Sequence, residues 1–166
     1  MSERTLVIRG GTVITPFKII ESGAVIIEGK KIKGVGKADE VEIPSNAKII
    51  DADGKHIVPG FIDIHTHGGG GYDVLINANY DSINKLSVFY ATHGVTSFLA
   101  TTATAPHDVL KNAMRILRET VEKGTRGAQL LGIHLEGPWI SKRAPGAQPV
   151  QWIRPPSIDE FVELYK

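Results

Sequence analysis

The strongest constraint on the fold is a change of rhythm near residue 59. Before this point, short β-branched runs alternate with glycine-containing turns, a pattern typical of hairpins. These runs lie at residues 5–9, 12–15, 24–28, 32–35, 48–51 and 56–58. After it, apolar strand-like runs alternate with amphipathic helical segments, which favours a parallel α/β layer. The sequence therefore predicts a small β domain over residues 1–58 and an α/β domain over residues 59–166.

The α/β part contains three strand-helix repeats. Strands are predicted at 61–64, 95–101 and 129–135, and helices at 81–93 and 108–123, with a further helix opened by a capping box at Ser157 and Glu160. Three repeats cannot close a barrel of eight strands. We interpret the fold class as α/β, the truncated first three β-α units of a (β/α)8 TIM-type barrel preceded by a small β-sandwich-like domain. An open three-stranded α/β layer is the alternative.

Composition excludes several classes of site and partner. The chain has 166 residues and no cysteine, so disulfides and thiolate metal sites are ruled out for this sequence. A net charge of +1, with dispersed basic residues, gives no reason to expect a nucleic-acid or membrane partner. The N-terminal residues 1–4 lack the long apolar stretch typical of a signal peptide, so we expect none, and no apolar run reaches membrane-spanning length. We expect a cytoplasmic protein.

A histidine pair closes the first α/β strand. His65 and His67 are two residues apart, so in an extended strand they face the same side and can bind one metal ion. Four glycines follow them, which lets the backbone pass close to a ligand. We favour a metal role over purely structural hydrogen bonds. Asp63 faces the same side and either fixes a histidine tautomer or bonds to neighbouring backbone.

A carboxylate stands at the end of the third strand. Glu136 follows the apolar run 130–135 and precedes Gly137 and Pro138, which favours a fixed inward position over a solvated charge. Its two oxygens can bind or bridge divalent cations. His134 lies two residues earlier on the same face, so it is a candidate for orienting Glu136 or touching a substrate.

Residues 59–68 and 134–138 resemble signatures of the amidohydrolase superfamily, and within it the N-acetylglucosamine-6-phosphate deacetylases. The resemblance implies that His65 and His67 hold one metal ion and that Glu136 binds or bridges to a second. Zinc is the implied metal, with one or two ions and Fe²⁺ as an alternative. The implied reaction is hydrolysis of N-acetylglucosamine 6-phosphate to glucosamine 6-phosphate and acetate, by a homodimer, with the general base beyond Lys166.

The same resemblance assigns sugar contacts to Gly146, Ala147 and Gln148, where the third position of the family is usually histidine. Two alternatives to the implied reaction stay open. One is a non-catalytic fragment of such an enzyme, and the other is a deacetylase of a related sugar such as N-acetylgalactosamine 6-phosphate.

Three further features receive structural interpretations. We expect His107 to be solvent-exposed at a helix start. Residues 101–104 follow the second strand, and we favour a simple loop role for them over lining the mouth of the site. Trp139 and Trp152 flank the Gly/Pro-rich stretch 137–156, where they either line a sugar site or anchor the loop.

Overall fold

The computed structural model describes residues 5–166, so the expectation about a signal peptide at residues 1–4 lies outside the described residues. The chain divides between Pro59 and Gly60 into two compact units. Within the described residues, the helices are too short or too polar to cross a membrane. The predicted mixed α/β class is confirmed.

The N-terminal unit consists of two small sheets. Its strands are β1 (Thr5–Arg9), β2 (Thr12–Ile14), β3 (Ile19–Ile20), β4 (Gly23–Glu28), β5 (Lys31–Lys37), β6 (Lys48–Asp51) and β7 (His56–Ile57). The sheets have the orders β5-β4-β1-β6 and β3-β2-β7. Val13 and Ile57 from one sheet share a buried cluster with Val25 from the other, so apolar faces of both sheets contribute to one core.

The C-terminal unit contains a parallel sheet with the order β12-β11-β8. Its strands are β8 (Phe61–Thr66), β9 (Gly68–Gly69), β10 (Tyr72–Asp73), β11 (Val95–Thr101) and β12 (Gln129–His134). Its helices are α1 (Tyr80–Thr92), α2 (His107–Lys123) and α3 (Ile158–Tyr165). The predicted strand-helix alternation is confirmed, with boundaries displaced by at most two residues in this sheet and in α1 and α2.

The core of this unit forms between the sheet and the helices. Ile83 and Leu86 of α1 and Leu117 of α2 pack with Phe98 and Leu130 of the central and outer strands. All five are fully or almost fully buried. Each such side chain stabilises the fold by about 1.5–3 kcal/mol relative to exposure. The apolar stripe of α2 that is visible in the sequence is therefore the face that holds the helix on the sheet.

The helix ends contain one departure from prediction. The Ser157 side chain accepts the Glu160 backbone N–H at 3.2 Å, so one half of the predicted capping box is present. The other half is missing because the Glu160 carboxylate instead accepts hydrogen bonds from Arg154, among others. The full reciprocal box occurs at α1, between Asn79 and Ser82, where we had not predicted one.

Candidate metal centre

The parallel sheet brings the candidate ligands together at the carboxyl-terminal ends of its strands. β8 and β12 flank β11 in parallel, so their carboxyl ends lie side by side. His65 is on β8 and His67 follows directly after it, while Glu136 lies two residues past the end of β12. Residues separated by about seventy positions in sequence therefore meet because of parallel pairing.

The three side chains converge on one point. Oε2 of Glu136 lies 3.0 Å from Nε2 of His65 and 3.3 Å from Nε2 of His67. One potential ligand atom from each of the three residues lies within 4.8 Å of the other two. Two ligands placed about 2.1 Å from a tetrahedral zinc ion are roughly 3.4 Å apart, so these separations fit a single ion.

The carboxylate oxygen at the centre of the group lacks a hydrogen-bond donor. Oε2 of Glu136 is buried and accepts no hydrogen bond from the described residues, despite its short distances to both rings. A buried anionic oxygen without a donor is costly unless a cation compensates it. The donor set of two imidazoles and a carboxylate therefore fits a divalent metal ion.

A backbone carbonyl fixes the tautomer of His67. Nδ1 of His67 lies 2.9 Å from the carbonyl oxygen of Thr101. Because a carbonyl oxygen can only accept, Nδ1 carries the hydrogen, and Nε2 keeps its lone pair for a metal. The simple loop role favoured for residues 101–104 is wrong for Thr101, which ends β11 and lines the pocket beside His67, as in the alternative left open by the sequence. The missed signal is the register, because Ala100 pairs with Thr66 and so places the next residue beside His67.

The two residues proposed to orient ligands have other partners. The Asp63 carboxylate accepts the backbone N–H of His65 at 3.1 Å, which is the backbone alternative left open by the sequence. The His134 ring packs edge-on against His65, with centroids 5.0 Å apart, and its Nδ1 lies 3.4 Å from the Thr101 hydroxyl. Among the described residues neither side chain hydrogen-bonds to the Glu136 carboxylate.

The predicted sugar-binding segment lies beside the histidine-glutamate group. Ala147 and Gln148 line a pocket of about 310 Å³ together with His67. The Gln148 side chain is already engaged, since its Nε2 donates to Oε1 of Glu136 and its Oε1 accepts the Thr104 backbone N–H at 2.7 Å. Gly146 is exposed and has a φ of +58°, a conformation that favours glycine.

A second histidine-carboxylate group, here called the Glu160 cluster, consists of His107, Trp139, Arg154, Glu160 and Glu163. Hydrogen bonds from Arg154, opposed by burial and supported by Trp139 and His107, lower the pKa of Glu160 to about 2. His107 bridges the cluster, with Nδ1 3.0 Å from Glu160 and Nε2 3.0 Å from Glu163. His107 starts α2, as expected, but it is half-buried and not solvent-exposed. The Trp139 ring nitrogen donates to Glu160 at 2.9 Å, so this tryptophan anchors the loop.

Comparison with known proteins identifies the family. Residues 56–161 match the Amidohydrolase family. The chain belongs to this family. The resemblance recognised in residues 59–68 and 134–138 is thereby confirmed.

Several similar proteins are amino-sugar deacetylases. The chain is 38% identical over 160 residues to the N-acetylglucosamine-6-phosphate deacetylase of Bacillus subtilis (strain 168), covering 95% of this chain and 40% of that protein. It is 36% identical over 121 residues to the N-acetylgalactosamine-6-phosphate deacetylase of Escherichia coli O157:H7, covering 73% of this chain and 32% of that protein.

Among solved structures, a mutant N-acetyl-D-glucosamine-6-phosphate deacetylase from Mycobacterium smegmatis, in complex with N-acetyl-D-glucosamine-6-phosphate, superposes with a TM-score of 0.82 at 28% identity. The superposition covers 97% of this chain and 40% of that one. The chain thus spans about 40% of the length of the Bacillus relative and of this structural neighbour.

Proposed function

We propose that this chain is part of a metal-dependent enzyme that hydrolyses the acetamido group of N-acetylglucosamine 6-phosphate to glucosamine 6-phosphate and acetate. The observation that carries the proposal is the approach of two imidazole nitrogens to one donor-free carboxylate oxygen, at 3.0 and 3.3 Å. The 38% identity to the Bacillus deacetylase supports the choice of substrate.

His65, His67 and Glu136 would hold the metal ion, with zinc as our first choice and Fe²⁺ as the alternative. Such an ion supplies a bound water of lowered pKa and polarises the acetyl carbonyl. The residues themselves contribute a preset tautomer at His67 and a fixed negative charge at Glu136. We assign no general base within residues 5–166. Its place beyond Lys166, a second metal ion and a homodimer stay predictions.

We propose that residues 59–166 are the first three β-α units of a (β/α)8 barrel, and that residues 1–58 are part of a small β-sandwich-like domain. Ligands at the carboxyl ends of parallel strands support the barrel, because barrel enzymes build their active sites there. The cytoplasmic location expected from the sequence also stays a prediction.

The pocket beside His67 is the proposed sugar site. Ala147 lines it, and Gly146 adjoins it, so the backbone of this segment would contact the substrate. Gln148 reaches Glu136 instead of pointing a free amide into the pocket. N-acetylgalactosamine 6-phosphate is the second candidate substrate, favoured by the 36% identity to the Escherichia relative.

Acetate release tests the proposal. The protein would be supplied with Zn²⁺ and given N-acetylglucosamine 6-phosphate or its galactosamine epimer in parallel, with acetate measured by a coupled enzyme assay. Glu136→Gln is expected to abolish release, because it removes the only anionic ligand of the group. Glu122→Gln is the matched control, since Glu122 is an exposed residue of α2.

Each result separates the candidates. Faster release from the glucosamine sugar supports the first substrate, and faster release from the epimer supports the second. Activity that survives in Glu136→Gln contradicts the metal site. Failure of a folded, zinc-loaded protein to release acetate from either sugar would support the non-catalytic fragment.

A further inference from the structure

We propose that Gln148 is a positioning residue for Glu136. By holding one oxygen of the carboxylate, it leaves only the other oxygen to bind the metal ion. The Gln148 amide holds Oε1 of Glu136, which leaves Oε2 facing the nitrogens of His65 and His67. This inference rests on the proposed metal site and assigns Gln148 a role different from the sugar contact that the resemblance implies.

The orientation of the Gln148 amide follows from its partners. The Thr104 backbone N–H, 2.7 Å from Oε1, can only donate, so the carbonyl end of the amide must face it. The NH₂ end therefore faces Glu136, whose carboxylate can only accept. A flipped amide would place donor against donor and acceptor against acceptor, so the arrangement has one stable form.

Thr104 contacts both Gln148 and the backbone that follows Glu136. Its backbone N–H fixes Gln148, and its hydroxyl lies so close to Gly137 that a Cβ there would be 2.2 Å away. Gly137 also has a φ of +72°, in the region that favours glycine. The backbone just after Glu136 therefore packs directly against Thr104, and the carboxylate of Glu136 is linked to Thr104 through Gln148.

The hydrogen bond from Gln148 orients the Glu136 carboxylate before a metal ion binds. Glu136 lies past the end of β12, where its flexible side chain has several rotamers available. A donor on Oε1 removes most of that freedom and keeps the carboxylate from turning both oxygens toward the ion. Outer partners of this kind typically change metal affinity by about 10–100-fold when they are removed.

Cobalt binding tests this role without relying on catalysis. The full chain would be titrated with Co²⁺ and followed by visible absorption, with the dissociation constant measured for each variant. Gln148→Met keeps the length but removes the donor, and is expected to weaken binding at least about 10-fold. Gln148→His restores a donor and an acceptor on opposite sides of the ring, and is expected to stay within about 3-fold of wild type. Gln151→Met is the control, because Gln151 is exposed three residues further along.

The outcomes separate this inference from the proposed function. Wild-type affinity in Gln148→Met, with His65→Ala abolishing binding, overturns the role of Gln148 and leaves the metal site standing. No Co²⁺ binding by the wild-type chain overturns the metal site and this inference with it. Should Gln148→Met unfold, Gln148→Asn takes its place, since its shorter side chain cannot span Thr104 and Glu136. Unchanged binding in that variant overturns the inference as well.

Discussion

Two glutamates in the C-terminal unit each lie beside histidine, yet they have opposite surroundings. Both oxygens of Glu160 accept N–H donors, from Arg154, Trp139 and His107. One oxygen of Glu136 accepts a hydrogen bond from the Gln148 amide. The other oxygen accepts no hydrogen bond from the described residues, although two imidazole rings lie beside it. The first carboxylate is neutralised by the protein, and the second is left for an external cation.

A histidine beside a glutamate therefore does not by itself define a metal site. A guanidinium supplies both charge and fixed donors, so the Glu160 cluster is internally satisfied and stabilises the packing of α3. The Glu136 group contains no arginine or lysine, so its electrostatic energy is lowest with a bound cation. Four predictions test this contrast, in order of decreasing expected effect.

The largest effect is expected from Glu136→Gln on metal binding. Losing the only anionic ligand should weaken Zn²⁺ binding by at least about 1,000-fold, or about 4 kcal/mol, which is more than the change of an outer partner causes. Isothermal titration calorimetry would measure it. The melting temperature of the metal-free protein should not fall, because no hydrogen bond to Oε2 is lost and a buried charge without a donor is removed. Retained zinc affinity would remove the distinction between the two glutamates.

Glu160→Gln should act on stability instead. The change leaves Arg154, whose side chain is only 26% exposed, without its anionic partner. We expect the free energy of unfolding to fall by about 3 kcal/mol, measured by urea denaturation. Zinc affinity should stay within about twofold of wild type. A variant that lost zinc binding while remaining folded would show that the clusters are coupled.

Acid should remove the same stabilisation. The pKa of Glu160 is about 2 in the folded protein against an ordinary value of 4.5, so folding favours the ionised form. Its contribution is fully present above about pH 4.5 and is lost as the pH falls toward 2, with a total of about 3 kcal/mol. Urea unfolding at several pH values would show a smaller acid loss in Glu160→Gln than in wild type. Parallel curves for the two proteins would contradict the assignment.

Glu163→Gln should have the smallest effect. Its side chain is 57% exposed, although it lies 3.0 Å from His107. An exposed ion pair typically contributes less than about 1 kcal/mol, so we expect a loss of about 0.5 kcal/mol or less in urea unfolding. If Glu163→Gln lowered the free energy of unfolding as much as Glu160→Gln, solvent exposure would not explain the different contributions of the two glutamates that contact His107.

The sequence predicted the elements of the fold well because their signals are local. The strand at 95–101 coincides with β11, and helix α2 departs by one residue from its predicted start. The helix period of Leu110, Ala113 and Leu117 is a property of neighbouring residues, and all three are buried. The capping box at Ser157 was only half right, because Glu160 had a stronger partner in Arg154, which belongs to tertiary structure.

The candidate ligands could also be selected from the sequence. A strand fixes the common direction of His65 and His67, and the apolar run before Glu136 indicates an inward carboxylate. The sequence could not assign their partners, because those contacts join residues that are distant in the chain. The backbone carbonyl of Thr101 accepts a hydrogen bond from His67. Gln148 bonds to Thr104, 44 positions away, and to Glu136, 12 positions away.

By itself, then, the sequence determined the alternation of strands and helices, the side of the strand that bears the histidines and the family resemblance, since each depends on local order and residue type. Tertiary structure alone decided which glutamate is neutralised and which is left with a free oxygen. The physical reason is that hydrogen-bond satisfaction and charge compensation depend on spatial neighbours. Arg154 happens to reach Glu160, and among the described residues no such cation reaches Glu136.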